Sequence, residues 1–246
     1  MKAMILAAGR GTRLRPFTDH TPKALFPVGK YTLLELTILY LRRFGVNEFV
    51  INVHHHAQQI IDYLDMNNGF GLSYTISDET SRLLDTGGAI VHARKYLEGE
   101  QPFVMMGIDV LTNLDLGAML QYHRQKNALV TLAVKDRPTS RSLLFDSDLR
   151  LCGWRDNNSG AVKGDQISRE KYALGFSVVH ILEPGIFNYI SEKGEFSITD
   201  LYLRLMVDHL ITGFRHDNSA WLEFGRAEMI RELMDTPEFR ELIAAY

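Results

Sequence analysis

The order of apolar segments predicts an α/β fold: a doubly wound, mixed and mainly parallel sheet with helices on both faces. Short apolar runs rich in β-branched residues recur along the chain, and helical patterns separate them. Size agrees, because 246 residues, 46% hydrophobic and 23% charged, can bury a sizeable core and read most simply as one domain over 1–246.

The first strand is expected over 3–7, and the next ones over 49–53, 72–76, 103–106, 129–134 and 176–181. Helical spacing of apolar residues predicts helices over 33–44, 57–64, 89–97 and 116–125. The polar stretch at about 135–175, with a turn at Asp156-Asn157-Asn158-Ser159-Gly160, reads as an insertion carrying a hairpin on the side of a second substrate. A further helix follows 196–200, with Ser197 or Thr199 as N-cap, and a last one spans Ala227–Met234. In doubly wound sheets ligands bind beyond the carboxyl ends of the strands, which directs attention to the loops after Ala7 and Met106.

Bulk properties exclude some classes. A formal net charge of −3 gives no global basic field for nucleic acid. No apolar run approaches the ~18 residues of a membrane span, and the apolar start breaks at Gly9-Arg10 without a cleavage region. Cys152, the single cysteine, excludes an internal disulfide or a cysteine-clustered zinc site and fits a reducing cytoplasm. Oligomeric state is not legible.

The strand Met4–Ala7 runs into Ala8-Gly9-Arg10-Gly11-Thr12-Arg13-Leu14-Arg15-Pro16. Glycines directly after a strand let backbone N–H groups approach a ligand, which suits a triphosphate, and Arg13 and Arg15 add charge-assisted donors. The plain alternative is a tight strand exit with solvated arginines. A dinucleotide fingerprint is broken by Leu14, and the Gly-Lys-Ser/Thr of a Walker A loop is absent. Thr21-Pro22-Lys23-Ala24-Leu25-Phe26-Pro27-Val28 then sets one lysine in a stiffened segment.

The spacing from Gly9-x-Gly11-Thr12-Arg13 to Pro22-Lys23 resembles the signature of the sugar-1-phosphate nucleotidyltransferases, or NDP-sugar pyrophosphorylases. The similarity runs through nearly the whole chain. It is greatest to short single-domain members acting as N-acetylmuramate-1-phosphate uridylyltransferases or mannose-1-phosphate guanylyltransferases. The resemblance implies a Rossmann-like, GT-A-like fold, and condensation of a nucleoside triphosphate, UTP or GTP, with a sugar 1-phosphate to give an NDP-sugar and pyrophosphate. It implies Arg13 and Lys23 on the nucleotide phosphates. Ala7, Ala8, Gly9, Gly11 and Thr12 complete the phosphate loop, while Glu79, Gly87 and Gly88 stand where the family binds the base. Asp109, in Met106-Gly107-Ile108-Asp109-Val110, matches the aspartate of the family's Asn-Gly-Asp turn, a metal ligand, with both neighbours replaced. Glu223, in Trp221-Leu222-Glu223-Phe224-Gly225-Arg226, takes the place of the second ligand, an aspartate in the family. The implied metal is Mg²⁺, and Arg13, Lys23 and Asp109 are the implied catalytic residues. Arg141 and Gly175 are placed by resemblance at the sugar phosphate.

Other features are discounted. Three consecutive histidines, 54–56, alternate faces and read as a solvated strand end. Trp154 reads as hairpin packing, and the charges of 226–241 as the outer face of terminal helices. Two other functions stay open. A cytidylyltransferase for a phospho-alcohol would need a cage for a quaternary ammonium, which 135–175 does not display. A nucleotide-sugar binding or regulatory protein with weakened catalysis is favoured by Ile108 and Glu223.

Overall fold

The computed structural model describes residues 1–164, 166–225 and 227–244, apart from the side chains at 227–229 and 231. Arg226, which opens the charged terminal stretch, lies outside the described residues. The elements in order are β1 (Lys2–Leu6), β2 (Pro27–Val28), β3 (Tyr31–Thr32), α1 (Leu33–Arg43), β4 (Glu48–Val53), α2 (Ala57–Met66) and β5 (Ser73–Asp78). Next come α3 (Asp85–His92), α4 (Arg94–Leu97), β6 (Phe103–Gly107), β7 (Val110–Thr112), α5 (Leu116–Lys126) and β8 (Val130–Lys135). The remainder is β9 (Arg141–Phe145), β10 (Leu151–Asp156), β11 (Val162–Lys163), β12 (Tyr172–Leu182), α6 (Ile198–Leu205), β13 (Ile211–Arg215), β14 (Trp221–Glu223), α7 (Ala227–Met234) and α8 (Pro237–Ala244).

The central sheet is mixed, in the order β11-β10-β9-β12-β6-β1-β4-β5, with β8 joining β12 and β13 joining β8. Its β6-β1-β4-β5 half is wholly parallel. Alternation explains why both faces are covered: Ala3 and Ile5 of β1 enter one buried cluster with α1, α2 and α5, while Met4 enters the other with α3, α4 and α6. The fold class expected from the sequence is the one observed.

Local chemistry sets the helix starts. Thr32 Oγ1 accepts from the Glu35 N–H at 3.2 Å, Asp115 Oδ1 accepts from the Ala118 N–H at 2.9 Å, and Ser197 Oγ accepts from the Thr199 N–H at 3.2 Å. Ser197, not Thr199, is therefore the cap of α6.

Two segments depart from expectation. The helix placed over 89–97 starts earlier, at Asp85, and breaks at Ala93. The 135–175 region is continuous with the main sheet, since β9 pairs antiparallel with both β10 and β12. The turn at 156–160 joins β10 to β11, with Asp156 Oδ1 accepting from the N–H groups of Asn158 and Ser159 at 2.9 Å each. No helix of the described residues is long and apolar enough to cross a membrane.

Candidate active site

The chain leaves β1 through Ala7, Ala8 and Gly9, beside the end of β4. There the buried Asn52 accepts on Oδ1 from the Ala7 N–H at 2.7 Å and the Ala8 N–H at 3.3 Å. Its amide donates to Glu79 Oε1 at 2.8 Å, and Glu79 Oε2 accepts from the Leu84 N–H at 3.2 Å. Asn52 thus ties the strand exit to the Glu79 segment. Burial raises the Glu79 carboxyl pKa, opposed by the bonds from Asn52 and Leu84.

Gly11 sits at φ 61°, and its carbonyl accepts from the Thr18 hydroxyl at 2.9 Å and the Leu14 N–H at 2.8 Å. A Cβ there would lie 2.9 Å from Thr18 Cγ2 and 3.0 Å from Lys23 Cβ. The missing side chain lets the loop close over Lys23, which is only 8% exposed. Lys23 Nζ donates to Asp109 Oδ2 at 2.6 Å.

Asp109 lies between β6 and β7. The short β7 pairs antiparallel with β14, setting Glu223 opposite Val110, and the Phe224 N–H donates to the Asp109 carbonyl at 2.8 Å. Two carboxylates distant in sequence thereby flank one backbone junction. Glu223 Oε1 lies 3.9 Å from Arg13 Nη2, an exposed and therefore weak pair. Among the described residues no cluster of three or more His, Cys, Asp or Glu could hold a metal. Two hard oxygen donors without a third fit Mg²⁺, which takes one or two carboxylates and completes its shell with water and substrate phosphates.

Two cavities meet here. One, of about 380 Å³, is bordered by Ala8, Gly9, Lys23, Asn52, Glu79 and Asp109, and also by Thr86 and Glu195. The other, of about 590 Å³, is bordered by Arg137, Arg141, Trp154, Lys163, Trp221 and Glu223 among others. Asp85 and Val178 border both. Val178 has φ 59°, which a β-branched residue rarely adopts, and it falls where the β12–β8 register is irregular. A Cβ at Gly107 would lie 2.8 Å from Val178 Cγ1, so Gly107 makes room for this strained wall.

The sequence profile of the nucleotidyl transferase family matches residues 2–143, more than half of the chain. The chain belongs to the nucleotidyl transferase family. It is 32% identical over 239 residues to the N-acetylmuramate alpha-1-phosphate uridylyltransferase of Neisseria meningitidis, covering 94% of this chain and 96% of that one. It is 27% identical over 239 residues to the UTP–glucose-1-phosphate uridylyltransferase of Synechocystis, covering 92% of this chain but spanning only 60% of that protein's length. In fold it is similar to a UDP-glucose pyrophosphorylase from Acinetobacter baumannii, with a TM-score of 0.77, 16% identity and 99% and 97% of the two chains covered.

Of the positions the family motifs pick out, Ala8, Gly9, Lys23, Glu79 and Asp109 border one cavity of this nucleotidyl transferase, and Arg141 and Glu223 border the other. Ala7 faces inward, its N–H held by Asn52. Thr12 and Arg13 are exposed on the outer turn of the loop. Arg15 pairs with Asp19 at 3.1 Å and borders a separate apolar groove, so it does not join Arg13. Gly87 and Gly88 lie in the first turn of α3, and both N–H groups donate to the Phe196 carbonyl, at 2.9 and 3.4 Å. They pack against 194–196 and do not border either cavity. Gly175 is buried under Arg137. His54 is held by its Nδ1 at 2.7 Å from the Glu79 carbonyl, and Trp154 borders the larger cavity instead of serving hairpin packing alone.

Asn52, Arg137 and Val178 went unmarked in the sequence. A polar Asn52 inside the apolar run Phe49–Val53 was a readable sign of an internal polar bond. Arg137 is one arginine among several in a polar stretch, and nothing local announces the backbone angle of Val178.

Proposed function

We propose that this nucleotidyl transferase condenses a nucleoside triphosphate, UTP or GTP, with a sugar 1-phosphate, forming an NDP-sugar and releasing pyrophosphate. One observation carries the reading most: β7–β14 pairing brings Asp109 and Glu223 together where the two cavities meet, with Lys23 and Arg13 against them. The relatives named for uridylyl transfer to sugar 1-phosphates support the same substrate class.

In this reading an oxygen of the sugar 1-phosphate attacks the α-phosphorus, and the bond to the pyrophosphate oxygen breaks. The nucleophile is already anionic near neutral pH, so no base is required. The barrier is the approach of two anions, and the site lowers it by fixed charge and position. Asp109 and Glu223 would hold Mg²⁺, which would supply positive charge to offset what develops on the phosphoryl oxygens. Lys23, held at 2.6 Å by Asp109 on the border of the smaller cavity, orients the α-phosphate with its ammonium. Arg13 and the N–H groups around Gly9 and Gly11 hold the leaving pyrophosphate. Glu79 and Asn52 fix the wall at which the base rests.

Phosphorus NMR of the protein with UTP or GTP, a sugar 1-phosphate and Mg²⁺ tests the proposal. New diphosphate-ester resonances with equimolar pyrophosphate are expected. Triphosphate binding without such resonances would favour the binding-protein reading.

A further inference from the structure

Arg137 lies in the larger cavity as a cation set in place, with no ion pair among the described residues. Its guanidinium stacks on Trp221, 3.8 Å from ring centre to Cζ, and Nη2 donates to the Phe176 carbonyl at 2.9 Å. Gly175 supplies the floor: a Cβ there would lie 2.9 Å from both Cγ and Nε of Arg137. Nε is buried and has no hydrogen-bond partner, and Arg137 forms no ion pair within 4.0 Å among the described residues. The other cations of the cavity differ. Lys163 pairs with Asp200 at 3.0 Å with both side chains exposed, and Arg141 is exposed at the mouth. Holding a half-buried guanidinium without a direct ion pair is unfavourable unless an anion arrives to meet it. Burial lowers its pKa, and the charge of Glu223 is what opposes that shift.

Trp221 and Glu223 are two apart on β14 and face the same way, so the stacked guanidinium stands beside the carboxylate assigned to the metal. We propose that Arg137, seated between Gly175 and Trp221, is the residue that grips the phosphate group of the sugar 1-phosphate and presents its attacking oxygen toward the Asp109–Glu223 junction. This rests on the proposed function. It gives Gly175 a definite part, as the clearance for Arg137 and not a contact with the sugar, and it makes Arg141 secondary.

The test compares wild type with Arg137→Gln, Arg137→Lys and Gly175→Ala, the last keeping the charge while pushing it out of place. With an active substrate pair, the KM for the sugar 1-phosphate should rise about 10- to 100-fold in Arg137→Gln, as expected for a lost charge-assisted contact, while the KM for the triphosphate stays within about twofold. Arg137→Lys should recover only part, because an ammonium cannot reproduce the stacked fork. Gly175→Ala should move the same KM in the same direction. Calorimetry with the sugar 1-phosphate and with the unphosphorylated sugar supplies a second readout, in which Arg137→Gln weakens only the phosphorylated ligand. An unchanged KM and affinity for the sugar 1-phosphate, or an equal rise in both KM values, overturns the proposal. If wild type turns over no pair at all, the transferase reading fails by itself, and the calorimetric comparison still decides the role of Arg137.

Discussion

Asp109 has two partners competing for it, the buried Lys23 ammonium at 2.6 Å and the metal it is proposed to bind. Asp109→Asn should therefore lower turnover by about 10²–10³ at saturating Mg²⁺, by analogy with loss of a fixed electrostatic contact. The same change leaves Lys23 buried without its counter-charge, so the melting temperature should fall as well. Retention of most activity would remove Asp109 from the site. Asn52→Leu tests a different bond. It strands the Ala7 and Ala8 N–H groups and one Glu79 oxygen, and should destabilise the fold by about 3 kcal/mol in denaturant titration, since each buried unmet group costs roughly 1–3 kcal/mol. Spaced motifs single out Arg13, Lys23 and Asp109 in the sequence, and the fold sets Lys23 against Asp109 and Arg13 near Glu223. Asn52 announces a buried polar bond but not its partner, and Arg137 announces nothing, because their partners lie 45 and 39 positions away and only the sheet brings them together.

At the scale of elements, α3 docks against the 194–196 segment with no space between backbones. A Cβ at Gly88 would lie 2.2 Å from the Gly194 carbonyl oxygen, and one at Gly87 2.3 Å from the Phe196 ring. Gly88→Ala should thus shift or undock α3, giving a clear drop in melting temperature together with loss of triphosphate binding. A variant that bound normally with unchanged melting would contradict this packing role. Periodicity made the long elements legible: β1, β4, α1, α2 and α5 fall where apolar spacing puts them. The short ones carry no periodic signal. β7 and β14 are three residues each, so although resemblance names Asp109 and Glu223 together, the strand pairing that sets them on one backbone junction is not readable from periodicity. The start of α3 carries no periodic signal either, since Gly87 and Gly88 are poor helix formers that tertiary contact with Phe196 holds in place.

For the molecule as a whole, two buried histidines set a pH dependence. Burial lowers the pKa of His180 from the ordinary 6.5 to about 3, and that of His216 to about 4 with a further push from Lys135. The unfolded chain takes these protons first, so stability from neutral burial is complete above pH 6.5 and is lost as pH falls below it, each histidine contributing up to about 1.4 kcal/mol per unit. The melting temperature should fall between pH 6.5 and 4, and less steeply in His216→Gln; a flat profile would contradict neutral burial. The layered architecture was legible because two covered faces demand near-continuous apolar strands. The single sheet running from β5 to β11 was not, because the 135–175 stretch is polar and gives no sign of joining it. The claim that this architecture serves transfer between two anions, one per cavity, is tested most directly by pyrophosphate release. The measurement takes wild-type protein with Mg²⁺, each of the nucleoside triphosphates and a panel of sugar 1-phosphates. Release is expected with one triphosphate and one sugar class, and none when the sugar phosphate is left out or the metal is chelated. Silence across the panel, while triphosphate still raises the melting temperature, would contradict it.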